Sequence, residues 1–231
     1  MSAPKLQDRL QRLADLIAEK CPGSRCHADI GSDHGLLLRY LLENAIVERG
    51  IAGELRSTPL ANSKRQLEGL ACDVRHGNGL EVLRPGEASS LSISGMGDQT
   101  IISILSKHPA CLPRWLFLQP NKGIGAVRRW TYENGFHLKA EVWTERDFQL
   151  LAFQMGDLPD PAYAPFVSDK DLLEASQVFG PFFLRRRQTS LLKLLQAESR
   201  YYAELPKLEV ISKRRLLLIH IALQWLTDQS N

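Results

Sequence analysis

The sequence predicts an α/β fold in which a mainly parallel sheet closes with an antiparallel strand pair and a helical hairpin follows. Three observations predict it. Short apolar strands alternate with helical segments from residue 25 to residue 134, the pattern of successive β/α units. Two strand-like segments, 136–144 and 148–155, then follow each other with no helix between them, so this last pair runs antiparallel. Beyond Phe179-Gly180-Pro181 the apolar residues recur at helical spacing.

Taken in order, residues 5–20 place Leu6, Leu10, Leu13 and Ile17 on one face of an amphipathic helix, which Pro22-Gly23 ends. A strand over 25–30 runs into Asp29-Ile30-Gly31-Ser32-Asp33-His34-Gly35, and a leucine-rich helix over 35–45 follows. The second strand, 50–54, ends in Gly53-Glu54. The helix over 58–69 has Ser57 or Thr58 as its N-cap and Pro59 at an early position, where a missing N–H costs little. A short strand over 72–76 leads into Gly77-Asn78-Gly79, and a fourth over 89–94 into Gly95-Met96-Gly97. Asp98 is expected to cap a helix over 99–107, which Pro109 limits. The fifth strand, 115–118, reaches Gln119-Pro120-Asn121, and a helix over 124–134 stops at Gly135.

The expected division is a domain over 1–158, a linker over 159–178 carrying Pro159, Pro161 and Pro165, and a helical hairpin over 179–231 split at Pro206. In the hairpin, Leu184, Leu191, Leu195 and Tyr202 share one face, and Leu208, Ile211, Leu218, Ala222 and Trp225 share another.

Composition narrows the class. The 231 residues are 44% hydrophobic and 24% charged, enough to bury a core. A net charge of +3 permits a polyanionic partner without demanding one. Cys21, Cys26, Cys72 and Cys111 form no C-x-x-C pair and read as reduced thiols. The first twenty residues have no signal-peptide core, and the longest apolar run, 216–226, is broken by His220 and Gln224. A soluble cytoplasmic protein with no membrane and no DNA partner is expected; oligomeric state has no signal.

In open α/β sheets ligands bind beyond the carboxyl ends of the strands, where all the glycine-rich and polar turns fall. In the first turn Gly31 allows a tight reversal and Gly35 close helix packing, but Asp33 stands where dinucleotide sites carry a middle glycine. A pyrophosphate there would be repelled. S-adenosylmethionine has no phosphate and carries an ammonium and a sulfonium, so Asp29 and Asp33 favour it over NAD. The alternative is that both aspartates only cap the helix and tie down the turn. With Ser32 and His34 in the same turn, Glu54 beside Leu55 is placed to accept bonds from ribose hydroxyls. Asn78 and Gly79 would meet the adenine edge, or form a simple turn. Gly95, Met96 and Gly97 would let a flat base approach the backbone, with Asp98, Gln119 and Asn121 as substrate-positioning groups. His27, Asp29, Asp33 and His34 have no ligand spacing, so no metal is expected. No triad has local support. Arg185, Arg186, Arg187 and Lys193, with Arg200, Lys213, Arg214 and Arg215, make either a solvated helix face or an RNA contact.

With these residues in view, the chain resembles the bacterial family that methylates N1 of adenine at position 22 of tRNA. The matching phrases are Arg9-Leu10, Asp29 to Gly35, Ile51-Ala52-Gly53-Glu54 with Pro59-Leu60, Val74-Arg75 with Gly77-Asn78-Gly79-Leu80, Gly95-Met96-Gly97, Leu118-Gln119-Pro120-Asn121, Arg128-Arg129-Trp130 and Phe179-Gly180-Pro181. The strand order it implies is the Rossmann-like sheet of class I methyltransferases, whose last strand inserts antiparallel. The resemblance implies S-adenosylmethionine as cofactor, tRNA as partner, and direct transfer to the adenine N1 lone pair of an unpaired or flipped base. Four positions depart from the family's pattern: Asn78 replaces an aspartate, Asp98 a glycine, Ser57-Thr58 a Glu-Gly phrase, and Phe148-Gln149, beyond Glu145, a Tyr-Glu pair. All are expected around the substrate mouth. The alternatives are a nicotinamide-dependent oxidoreductase, a non-catalytic tRNA-binding relative, and a methyltransferase for another substrate.

Overall fold

The computed structural model describes residues 6–144 and 148–228. Seven strands form one sheet: β1 (Ser24–Ile30), β2 (Val47–Glu54), β3 (Cys72–His76), β4 (Ser90–Met96), β5 (Trp115–Pro120), β6 (Phe136–Trp143) and β7 (Gln149–Met155). Their order is β3-β2-β1-β4-β5-β7-β6. The first five run parallel, and β7 inserts antiparallel between β5 and β6. The sheet is therefore the one expected, including its closing pair. Strand order departs in both directions from β1 and β4, which makes the gap above them the switch point where such sheets bind ligands.

The inner strands β2, β1, β4, β5 and β7 are largely buried on both faces, because helices cover both sides, while the edge strands β3 and β6 are partly open. On one side lie α1 (Asp8–Lys20), α2 (Leu36–Glu43) and α3 (Ser57–Gln66), whose Leu13, Ile17, Leu37 and Leu41 meet Phe117 and Leu150. On the other lie α4 (Asp98–Lys107) and α5 (Ile124–Glu133), packing Ile101, Leu105 and Val127 against Ala28, Ile93 and Leu118. The alternation of Leu116, Phe117 and Leu118 between these two cores is the period of two that a strand imposes.

Three expectations change. Neither Ser57 nor Thr58 caps α3, since both are helical and Arg56 stands at the N-cap. Asp98 is the first residue of α4, behind Gly97, and caps nothing with its side chain. The stretch over 159–178 contains a 3-10 turn, Pro161–Phe166, and a full helix, α6 (Lys170–Phe179). Pro161 and Pro165 sit in the turn, whose N-cap Asp160 accepts from the Ala162 and Leu138 N–H groups at 2.9 and 2.8 Å. Asp169 caps α6 by accepting from Asp171 and Leu172.

The last helices are α7 (Pro181–Arg185), α8 (Thr189–Glu204) and α9 (Val210–Thr227). Leu184, Leu191, Leu195, Leu218, Ala222 and Leu226 form a core of their own with Phe166, Ala175 and Phe179. Ile211, expected on the inner face of the hairpin, is 81% exposed, because α9 begins beyond the cover of α6 and α8.

Candidate active site

The turn after β1 is built from left-handed backbone. Gly31 has φ +73°, and the Met96 methyl occupies the place a β-carbon would need. Asp33 also has positive φ, +56°, which aspartate tolerates better than most residues. Its backbone N–H donates to the Glu54 carboxylate, so the acid ending β2 ties down the turn after β1. Gly35, at φ +69°, packs on Leu67 at the end of α3, as close helix packing requires.

Beside this turn lies a cleft of about 540 Å³, lined by Gly31, Glu54, Leu55, Asn78, Met96 and Ile104 among others. Glu54 is buried and Leu55 is an exposed apolar lip. Asp29, just behind the turn, is buried, and its Oδ1 accepts from Ser92 Oγ at 2.5 Å. Burial pushes the Asp29 carboxyl up to about 6, opposed by the hydroxyls of Ser92 and Ser32 and by the Arg9 charge. Burial likewise raises Glu54, opposed by the Asp33 N–H. The Ser32 hydroxyl is buried beside Asp29 and helps to hold that carboxyl down, without a hydrogen bond of full geometry among the described residues. Asp33 and His34 instead point outward, 3.7 Å apart and both more than half exposed. Glu54 is thus the acid that lines the cleft, Asp29 lies buried behind the turn, and Asp33 contributes its backbone.

Asn78 starts a 3-10 turn over Gly79–Val82, and its N–H donates to Glu81 Oε2 at 3.1 Å. The second rim is formed by the ends of β4 and β5. Gln119, expected to meet substrate, is fully buried; its Oε1 accepts from the Gly95 N–H at 3.0 Å and from Arg9 Nη1 at 2.6 Å. Its amide donates to Pro120 O and Asn121 Oδ1, so Gln119 shapes the rim rather than facing a ligand. Asn121 is exposed and donates to Gly95 O at 2.7 Å. Asp98 lies against Gly123 at the start of α5.

Sequence reading gave Arg9 only as part of the family phrase Arg9-Leu10, with no role at the site. From α1 it donates to Gln119 and to Ser94 Oγ, at 3.2 Å, and borders a small cleft with Gly95, Asn121 and Phe148. Its signal was an arginine one turn before Leu13 on a helix otherwise seated by leucines. Of the four departures, Phe148 sits at that cleft, but Gln149 does not reach the mouth: its Oε1 accepts from Arg128 Nη2 at 2.6 Å. Glu145 lies outside the described residues. Among those described, no three His, Cys, Asp or Glu side chains converge as metal ligands do.

The basic residues divide. Arg185, Arg186 and Lys193 are exposed, and both arginines stand over the Phe182 ring, at 5.9 and 5.6 Å. Arg214 pairs with Asp171 and Glu174, and Arg215 with Glu198, so these two are committed within the chain. The triple arginine belongs to α7 and its end, not to the α8–α9 hairpin.

Residues 6–152 match the family model of the methyltransferase domain. Over 202 residues the chain is 36% identical to the tRNA (adenine(22)-N(1))-methyltransferase of Bacillus subtilis strain 168, covering 84% of this chain and 81% of that protein. This chain belongs to that methyltransferase family. The B. subtilis M1A22 tRNA methyltransferase TrmK superposes with a TM-score of 0.77 at 32% identity, covering 96% and 97% of the two chains. Streptococcus pneumoniae Sp1610, a candidate tRNA (m1A22) methyltransferase solved with S-adenosyl-L-methionine, superposes with a TM-score of 0.76 at 25% identity, over 96% of this chain and all of that one. The likeness runs through the C-terminal helices, and the family sets the oxidoreductase alternative aside.

Proposed function

We infer that this chain transfers the methyl group of S-adenosylmethionine to N1 of adenine 22 in tRNA. The observation that carries this reading is a pair of buried acids at the switch point, Asp29 and Glu54, in a chain that matches the tRNA adenine methyltransferases over most of its length. The residues fit the cofactor: the buried Ser32 hydroxyl beside Asp29 has bonding capacity to spare, and the acids would repel a phosphate but attract an ammonium. When bound, S-adenosylmethionine supplies an electrophilic methyl group on its sulfonium.

Asp29 receives the ammonium, Glu54 the ribose hydroxyls, and Leu55 and Ile104 give apolar walls for the adenine ring, with Asn78 and Gly79 at its edge. Gly31 to Gly35 supply the turn around the amino-acid end. Gly95, Met96 and Asn121 border the entry of the target base, and Gln119 fixes that border through Gly95 and Arg9. Adenine N1 has its own lone pair, so no residue has to remove a proton before transfer. The product ring is cationic, and Asp98 on the same rim offers a carboxylate to the developing charge. Orientation of the two reactants accounts for most of the acceleration. Arg185, Arg186, Arg187 and Lys193 hold the tRNA body by its phosphates. Among the described residues no helix is long and apolar enough to cross a membrane, and the cytoplasm, where tRNA resides, is the proposed location.

The test supplies labelled cofactor and unmodified tRNA, then maps reverse-transcription stops, since a methyl on N1 blocks pairing. A single new stop at adenine 22 is expected. No label in tRNA, or label in a metabolite or protein instead, overturns the reading.

A further inference from the structure

β1 and β4 lie side by side in a register that sets His27 against Ser90 and Asp29 against Ser92. Alternate residues share a face, so these four point together toward the α1 side, where the His27 ring meets Phe117 at 6.3 Å. All four are buried. They form one continuous line: Ser92 Oγ to Asp29 Oδ1 at 2.5 Å, His27 Nε2 to Ser92 Oγ at 2.9 Å, His27 Nδ1 to Ser90 Oγ at 2.8 Å, and Ser90 Oγ to Ser24 Oγ at 2.8 Å.

The direction of each bond is forced in turn. An ionised carboxylate only accepts, so Ser92 donates to Asp29. A hydroxyl has one hydrogen, so Ser92 must then accept from His27 Nε2–H. A neutral imidazole carries one N–H, so Nδ1 accepts from Ser90, which accepts from Ser24. Burial lowers the His27 imidazole to about 3, so the ring stays neutral at working pH.

We propose that His27 is a positioning residue for the amino-acid end of the cofactor: held as the Nε2–H tautomer, it aims the Ser92 hydroxyl at Asp29 and keeps that carboxylate ionised and aligned for an ammonium group. This rests on the reading of Asp29 as the ammonium partner. The other charged groups around the carboxylate are Arg9 from α1, which favours ionisation, and Glu54 at the end of β2, which opposes it, with Asp33 and His34 in the turn beyond Glu54. None of these reaches Ser92 through a hydrogen bond; the His27 ring does.

The experiment has two arms on the full chain. Imidazole-15N NMR at pH 7.5 should show His27 with a protonated Nε2 and a bare Nδ1; an Nδ1–H tautomer overturns the proposal without any variant. The second arm measures the Kd for S-adenosylmethionine against pH. Ser92→Ala should weaken binding about tenfold at pH 6.5 and His27→Leu about threefold, each moving the pH midpoint upward. His27→Gln, which retains a donor, should recover most of the loss. Midpoints that coincide with the parent protein sink the relay while leaving Asp29 as anchor. Asp29→Asn separates the two: full affinity in that variant removes the reading beneath the relay.

Discussion

In the proposed site, Asp29 sets folding stability against cofactor binding. Its carboxyl rises from an ordinary 3.8 to about 6 on folding, chiefly through burial. A group whose folded value is raised favours the folded state below its unfolded value and loses that contribution as pH climbs through the folded value. The ligand-free protein is therefore weakened by Asp29 between pH 4 and pH 6 and above, by roughly 2–3 kcal/mol. Asp29→Asn should raise the melting temperature of the ligand-free protein at pH 7.5 and by about a third as much at pH 4.5. The same variant should cost the cofactor roughly 2–3 kcal/mol of binding at pH 7.5, as loss of a charge-assisted bond does. Calorimetric titration beside thermal melts checks both, and a variant that lost stability at pH 7.5 would contradict the account. In the parent, cofactor affinity should fall about tenfold per unit below pH 6. The acids at strand ends were legible as residues, because β1 and β2 each stop at a carboxylate beside glycine. Which acid faces the cleft was not, since Asp33 is turned outward by its own positive φ and held there by Glu54.

Elements were legible where periodicity is strong and caps are conventional. The β/α alternation and the closing strand pair need only apolar spacing, and both stand as read. Two signals in the sequence went unused. Ser90, Ser92 and Ser94 alternate with Leu91 and Ile93, whereas a central parallel strand is normally apolar on both faces; that alternation marks the polar lane that Arg9, His27 and Asp29 share. Ser168-Asp169 before Leu172 and Leu173 is an N-cap ahead of an apolar stripe, outweighed in the reading by three prolines upstream. The family phrases Arg128-Arg129-Trp130 and Phe179-Gly180-Pro181 also gain a physical meaning. Arg128 Nε donates to Glu141 at 2.6 Å with both side chains fully buried, and its Nη1 reaches the Gln177 and Val178 carbonyls at the end of α6. Glu141 Oε2 accepts from the Phe182 N–H of α7 at 3.0 Å, and a β-carbon at Gly180 would press on the same carboxylate. Burial raises the Glu141 carboxyl, opposed by the Arg128 charge. Arg128→Met leaves that acid unpaired and should cost roughly 3–5 kcal/mol, while Arg128→Met with Glu141→Leu should recover much of it. Denaturant unfolding of both variants measures this; a double variant as weak as the single one would refute the clamp.

For the whole molecule, that clamp joins the sheet to the segment that carries the exposed arginines. Arg185 ends α7 and Arg186 is its C-cap, a few residues after Phe182, so their position relative to the cleft is set through Glu141 and Arg128. This separates what each part contributes to catalysis. The cleft is complete within the sheet domain, whereas a flipped base reaches it only if the tRNA body is held at a fixed offset. Replacing Arg185 and Arg186 together with Glu should leave the Kd for S-adenosylmethionine unchanged and raise the KM for tRNA. The slope of log affinity against log salt should fall by about 2, one for each lost phosphate contact. Both arginines are exposed, so the fold should tolerate the change within about 0.5 kcal/mol. Filter binding of tRNA across a salt series, beside methyl transfer at saturating cofactor, makes the comparison. An unchanged salt slope would mean that the tRNA body lies elsewhere on the molecule, and the arginines on α7 would then be a solvated face alone.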